Sequence, residues 1–175
     1  MSECEKRRLE NAEKAREAAD RLFPGERWEG VEDGIYLSAR RAVGRKSNYK
    51  EELGNARILR DLGSTVYLVP ESRRNAGRQY DAIVDGLPFE FKNVGGNANT
   101  LITHFLKSRY QAANVFINLE NSRLTCRQAK SALYGARNSH KYPEGHGIGG
   151  GMIVLKVRDE VGLVYLDVDG LKAPG

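Results

Sequence analysis

Residues 79–92 contain two runs of strand-forming residues on either side of an Asp85-Gly86 pair. Asp-Gly between two such runs is a strong signal for a two-residue type I′ hairpin turn. Such a turn also sets the register of the two strands. The predicted cross-strand pairs are Val84 with Leu87, Ile83 with Pro88, Ala82 with Phe89, and Asp81 with Glu90.

The two faces of this hairpin differ in chemistry, because successive side chains of a strand point to opposite faces. One face is apolar and is predicted to belong to the core: Tyr80, Ala82, Val84, Leu87, Phe89 and Phe91. The second face carries Gln79, Asp81, Ile83, Pro88, Glu90 and Lys92.

The second face places two carboxylates, Asp81 and Glu90, directly opposite each other. Like charges at opposed positions are destabilising, whereas a divalent cation such as Mg²⁺ takes carboxylate oxygens as ligands. Lys92 shares the face and could polarise a phosphate or position a water there. A solvated charged face is the alternative interpretation of the same residues.

Composition limits the classes of function. The 175 residues suit one domain with an appendage, and the net charge of +5 favours an anionic partner, with nucleic acid first among candidates. Cys4 and Cys126 form no metal-ligand spacing. No apolar run approaches the ~18 residues of a membrane span, and no signal-peptide core is present at the N-terminus. The sequence predicts a soluble chain without a classical export signal.

Apolar periodicity and turn residues predict the order of elements along the chain. Residues 48–119 read as helix, strand, strand, strand, helix, strand, which is an α/β or α+β arrangement with helices packed on a sheet. The predicted segments are a helix at 2–22, an irregular basic connector at 26–46, a helix at 48–62, a strand at 64–69, a polar loop at 70–78, the hairpin, a helix at 98–112, a strand at 114–119, a helix at 125–137, a glycine-rich loop at 138–151, and a terminal hairpin with strands at 152–157 and 162–168.

Asp81, Glu90 and Lys92 form the pattern D-x₈-E-x-K within this αβββαβ order. The pattern resembles that of the PD-(D/E)xK nuclease superfamily, with Tyr80 where the superfamily pattern has proline. The resemblance implies a restriction-endonuclease-like core with a central mixed sheet, and a divalent metal, Mg²⁺ first with Mn²⁺ or Zn²⁺ as alternatives. It implies Asp81 and Glu90 as metal ligands, Glu52 (with Glu51 second) completing the site, and Lys92 acting on the attacking water and the phosphate.

Residues 51–119 are also similar to the C-terminal nuclease toxin domains of contact-dependent growth inhibition (CdiA-type) proteins. The similarity lies in the helix pattern E-x₃-A-x₂-L-x₃-G, a V-P-E loop, the D-x₂-V-D-G hairpin and a K-x₃-Q pair, and it is carried here by Glu52, Ala56, Leu59, Gly63, Val69-Pro70-Glu71, Asp81, Val84-Asp85-Gly86, Lys107 and Gln111. It implies a bacterial competition toxin that acts in the cytoplasm of a target cell. It further implies a nucleic-acid substrate, with tRNA favoured over DNA, and a cognate immunity protein as partner.

The remaining predictions concern substrate contacts and domain division. Basic and amide side chains near the hairpin are the predicted substrate-binding residues: Gln79, Arg73, Arg74, Arg78, Lys107 and Gln111. Phosphate contacts of this kind weaken with salt.

Residues 47–175 are predicted to form the nuclease domain, preceded by a helix and basic connector at 1–46.

Two alternative functions stay open from the sequence. The first is a metal-independent RNase that uses His104, His140 or His146 with Lys92 or Lys107 for acid–base chemistry. The second is a nucleic-acid-binding or phage-structural module without catalysis, which would leave Asp81 opposite Glu90 unexplained.

Overall fold

A computed structural model describes residues 1–42, 48–70, 80–108, 111–138 and 151–166. The chain forms two compact units, residues 1–89 (unit 1) and residues 90–175 (unit 2). The predicted division into an N-terminal helix and connector at 1–46 and a nuclease domain at 47–175 refers to the location of the activity, and it stays a prediction.

Unit 1 has strands in the order β1-β2-β3-β4-β5, in which β2 and β3 run parallel and the other neighbours run antiparallel. Its described elements are α1 (Glu3–Leu22), β1 (Trp28–Glu32), β2 (Ile35–Ser38), α2 (Ala39–Ala42), α3 (Tyr49–Asp61), β3 (Val66–Leu68), β4 (Ala82–Val84) and the start of β5 (Leu87–Asn93).

Unit 2 begins within β5 and has strands in the order β5-β6-β7-β8. Strands β6 and β7 run parallel, and β7 and β8 form an antiparallel hairpin. Its further described elements are α4 (Ala98–Ser108), β6 (Asn114–Asn118), α5 (Cys126–Asn138), β7 (Gly151–Val157) and β8 (Glu160–Leu166).

The predicted fold class is confirmed. Elements α3, β3, β4, β5, α4 and β6 follow one another in the predicted αβββαβ order, and parallel and antiparallel neighbours both occur, as in a mixed sheet. The N-terminal helix and the C-terminal hairpin are also present. Most of the predicted polar loop at 70–78 and most of the predicted glycine-rich loop at 138–151 lie outside the described residues.

The type I′ turn is confirmed by the backbone. Asp85 and Gly86 have φ values of 48° and 87°, and positive φ at both central residues defines this turn. The register is confirmed for three pairs, from Val84↔Leu87 to Ala82↔Phe89. Asp85 also fixes the turn to the start of β3, because Thr65 N–H donates to Asp85 Oδ1 (2.8 Å) and Asp85 N–H donates to the Thr65 carbonyl (3.0 Å).

The predicted register fails beyond Ala82. Asp81 N–H donates to the carbonyl of Phe89 (3.0 Å), the same residue that faces Ala82. Two residues opposite one define a β-bulge, so an Asp81–Glu90 pair does not extend the ladder. The alternation of side chains shifts accordingly, since Tyr80 packs against the cluster that contains Ile83 instead of lying on the opposite face.

The predicted irregular connector at 26–46 is wrong for its described part. Residues 28–38 form the antiparallel β1–β2 hairpin around Asp33-Gly34, and α2 follows directly. Strand β2 is paired with β3, which lies about thirty residues away along the chain, so its pairing is non-local. Residues 43–47 lie outside the described part of the chain.

Each unit has its own core. In unit 1, three buried alanines of α1 pack against β3 and β4, and small side chains allow this close approach: Ala15, Ala18 and Ala19 lie against Tyr67, Val69 and Ile83. In unit 2, α4 and α5 cover the sheet through buried residues that include Leu101, Phe105, Leu133, Val115, Ile117 and Ile153. Ile83, predicted to lie on the polar face of the hairpin, is therefore a core residue under α1.

Gly162 of β8 allows α5 to pack closely, and its replacement is predicted to destabilise unit 2. A Cβ at this position would lie 2.7 Å from Cys126 Sγ and 2.8 Å from Lys130 Cε. We expect Gly162→Ala to lower the free energy of unfolding by about 1–3 kcal/mol through overpacking. Gly30→Ala is the matched control, because a Cβ there meets nothing within 4 Å. Urea denaturation measures both, and equal midpoints for the two variants would contradict the prediction.

Tyr67 is predicted to make unit 1 sensitive to alkali. Burial raises the pKa of Tyr67 from 10.0 to about 12, where its ring also stacks on Tyr36 at 4.6 Å. Between pH 10.0 and about 12, Tyr67 has lost its phenolic proton in the unfolded chain and has kept it in the folded chain. The free energy of unfolding therefore falls as pH rises. The urea midpoint of the wild type should therefore fall more steeply from pH 9.5 to 11.5 than that of Tyr67→Phe. Parallel pH dependences would show that Tyr67 does not contribute.

Candidate active site

The predicted site residues are distributed over both units. Glu52 and Asp81 belong to unit 1, whereas Glu90, Lys92 and Gln111 belong to unit 2. Several predicted residues lie outside the described part of the chain, namely Gln79, Arg73, Arg74, Arg78, His140 and His146.

In unit 2, β5 presents Glu90 and Lys92 on one face. Val94, two residues further on, belongs to the buried core under α4 and α5, so these alternate positions face the interior of the unit. The Glu90 side chain is 2% exposed, and that of Lys92 is 22% exposed. Lys92 Nζ donates to Glu90 Oε1, so the E-x-K motif forms an ion pair that is largely removed from water.

Gln111 completes a chain of three polar side chains in unit 2. Lys92 Nζ also contacts Gln111 Oε1 at 3.1 Å, so the ammonium lies between a carboxylate and an amide oxygen. Helix α4 is described over Ala98–Ser108, and residues 109–110 of the predicted helix at 98–112 lie outside the described part of the chain. The Ser108 carbonyl accepts hydrogen bonds from Gln111 N–H (2.9 Å) and Ala112 N–H (3.1 Å). Gln111 therefore contacts Lys92 from a position beyond the described end of α4, and its predicted relation to Lys107 one helical turn earlier stays a prediction.

The other candidates on α4 are less enclosed. Lys107 is exposed near the end of the helix, and His104 is half-buried one turn before it. His104 is thus the histidine of the predicted acid–base alternative that lies within the described residues, whereas His140 and His146 lie outside them.

In unit 1, Glu52 is buried at the start of α3, whereas the neighbouring Glu51 is exposed. The guanidinium of Arg41 contacts Glu52 Oε2 through Nη2, and its Nη1 donates to the carbonyl of Val69 at 3.0 Å. The side chains of Arg41 and Glu52 are 5% and 10% exposed. Sequence reasoning misses this role, because Arg41 lies within the predicted irregular basic connector at 26–46 and nothing in its spacing indicates burial.

Asp81 lies at the bulge before β4. Its carbonyl accepts a hydrogen bond from Val69 N–H (3.1 Å), and its own N–H donates to Phe89 (3.0 Å). The backbone of Asp81 is therefore held from both sides, and bulges are frequent next to active sites because they redirect a side chain.

The residues offer the type of donor that a hard cation takes, since Glu52, Asp81 and Glu90 all carry carboxylate oxygens. Across the described ranges, no group of three or more His, Cys, Asp or Glu side chains that could hold a metal ion is found. Glu52 and Glu90 instead contact Arg41 and Lys92. These residues therefore suit a metal ion in the type of their donor atoms, and metal binding stays a prediction.

The buried Arg41–Glu52 pair is predicted to stabilise unit 1 only as long as both partners are present. Arg41→Met should lower the free energy of unfolding by about 3–5 kcal/mol, because it leaves a buried carboxylate without its counter-charge. The double variant Arg41→Met/Glu52→Leu should recover most of this loss. Thermal denaturation of the two variants measures the difference, and a double variant as unstable as the single one would contradict it.

No helix in the described part of the chain has the length and apolarity needed to cross a membrane.

Comparison with solved structures gives a structural likeness. No protein family and no curated protein matches the sequence. A chain of the CdiA-CT/CdiI toxin and immunity complex from Burkholderia pseudomallei is similar in structure, with a TM-score of 0.45 and 19% sequence identity, over 70% of this chain and 89% of that chain. A likeness of this degree does not assign an activity.

Proposed function

We propose that the protein is a nuclease that hydrolyses phosphodiester bonds with the help of a divalent cation, and that it is the toxin module of a bacterial competition system. The observation that supports the nuclease most directly is the position of Lys92, whose ammonium contacts Glu90 and Gln111 in a largely buried setting. Burying an acid and a base together costs desolvation energy that an apolar pair would not, which favours a chemical role for the pair.

The arrangement suits phosphate chemistry. An ammonium has three N–H donors, and two of them account for the contacts to Glu90 and Gln111. The third would bind a phosphate oxygen or the attacking water, and the 22% exposure of the Lys92 side chain leaves it accessible. A fixed positive charge at this point would stabilise the negative charge that develops on the phosphate in the transition state.

The proposed metal ligands are Glu90, Asp81 and Glu52. A bound Mg²⁺ would lower the pKa of a water and neutralise phosphate charge. The carboxylate of Glu90 would then bind the metal, and the ammonium of Lys92 would contact the substrate.

The proposed substrate is a nucleic acid, with tRNA favoured over DNA. The net charge of +5 favours a polyanion, and the preference for tRNA follows from the resemblance of the motifs in residues 51–119 to those of toxin domains. The same similarity leads us to propose a cognate immunity protein as partner and the cytoplasm of a target cell as the place of action.

Lys92→Ala is predicted to slow cleavage strongly. We expect its rate on total tRNA or plasmid DNA to fall by about 10²–10³-fold, the range for loss of one electrostatic contact to a transition state. Glu90→Gln should be similarly inactive, and EDTA should stop the wild type until Mg²⁺ is restored. Gel assays of product formation measure all three.

The matched controls are Lys6→Ala and Glu120→Gln, which change exposed residues of the same types. They should cleave like the wild type, and circular dichroism should show all variants folded. Cleavage that survives EDTA and is lost in His104→Ala would favour the metal-independent RNase. Full activity of Lys92→Ala would contradict the proposed site.

A further inference from the structure

We infer that Arg41 is a positioning residue of the active site, which holds the carboxylate of Glu52 and the backbone of the Asp81 segment in their working places. This inference rests on the proposed function, because it concerns how two of the proposed ligands are held. It assigns a role to a side chain that the sequence motifs do not include.

The contacts of Arg41 connect three separate parts of unit 1. One guanidinium nitrogen contacts Glu52 Oε2 at the start of α3, and another donates to the carbonyl of Val69 just after β3 (3.0 Å). The side chain is 5% exposed, so these contacts lie away from solvent screening.

Val69 carries the connection on to Asp81. While its carbonyl accepts from Arg41, its N–H donates to the carbonyl of Asp81 (3.1 Å). A continuous set of hydrogen bonds therefore runs from the carboxylate of Glu52 through Arg41 and Val69 to Asp81. Displacing Arg41 would act on both predicted acidic residues of unit 1.

The chemistry of arginine suits this task. Its planar guanidinium presents donors in a fixed geometry and remains charged at every accessible pH, whereas lysine has a single flexible ammonium. An arginine at this position therefore acts through its fixed charge and the direction of its donors. Its function is to fix the orientation of an acid.

The helix that carries Arg41 is itself held in place. Helix α2 spans only Ala39–Ala42, and a single turn is not stable alone. Glu26 accepts hydrogen bonds from Ser38 Oγ–H (2.7 Å) and from the Arg40 guanidinium at the start of α2. Burial raises the pKa of Glu26, but these hydrogen bonds lower it by more, so the pKa lies below its usual value and the carboxylate is charged at neutral pH.

Arg41→Lys tests the inference, because it keeps the charge and removes the two-pronged geometry. We expect kcat for nucleic-acid cleavage to fall about 10- to 100-fold with KM changed by less than about twofold, as for a misplaced catalytic group. Arg57→Lys is the matched control on α3, since Arg57 is half-exposed and pairs with Glu32 on the surface. It should retain wild-type kcat.

A double-mutant cycle separates positioning from simple destabilisation. Glu52→Asp withdraws the carboxylate from Arg41, so Arg41→Lys should cost little further kcat in that background. Amide hydrogen exchange at Val69 should also accelerate in Arg41→Lys and stay unchanged in Arg57→Lys. Both measurements are made well below the melting temperature of each variant.

The outcomes distinguish this inference from the proposed function. Wild-type cleavage that depends on Lys92 but is unaffected by Arg41→Lys would overturn the role of Arg41 alone. A full additional loss in the Glu52→Asp background, or unchanged exchange at Val69, would also overturn it. A wild type that cleaves neither RNA nor DNA would overturn both.

Discussion

A charge removed from water needs a counter-charge, and both units meet this requirement in the same manner. In unit 2, the nearly buried carboxylate of Glu90 contacts Lys92, and in unit 1 that of Glu52 contacts Arg41. Burying either pair costs desolvation free energy, which apolar residues of equal volume would avoid. The secondary structure around each pair, α2 with α3 and β5 with the turn after α4, is what holds the partners together.

Local backbone geometry determines the direction of the side chains along β4 and β5. The Asp85-Gly86 turn sets the register of β4 and β5, and the bulge at Asp81 then shifts the alternation by one residue. A regular hairpin would continue Asp81 as an ordinary rung of the ladder. The bulge instead places the backbone of Asp81 between Val69 and Phe89. The direction of the Asp81 side chain therefore no longer follows the two-residue alternation of a regular strand.

What the sequence could predict follows from the range of the interactions involved. The type I′ turn, the E-x-K spacing and the αβββαβ order depend on residues close in sequence, and the structure confirms the turn and the order. Strands β1 and β2 were missed because β2 is stabilised by β3, which is distant in the chain. Arg41 was missed for the same reason, since only the fold reveals that it is buried against Glu52.

The burial of Glu90 also bears on the choice between an enzyme and a binding module. A protein that only binds nucleic acid gains affinity from exposed cations, each of which releases counterions from the phosphate backbone. An acid placed beside Lys92 subtracts from that attraction, and holding both away from water adds a desolvation cost. The arrangement is useful where a cation must be held at one point and one orientation, as in the stabilisation of a transition state. Gln111 adds to this argument, because a neutral amide that accepts from the ammonium orients Lys92 without increasing its affinity for a polyanion.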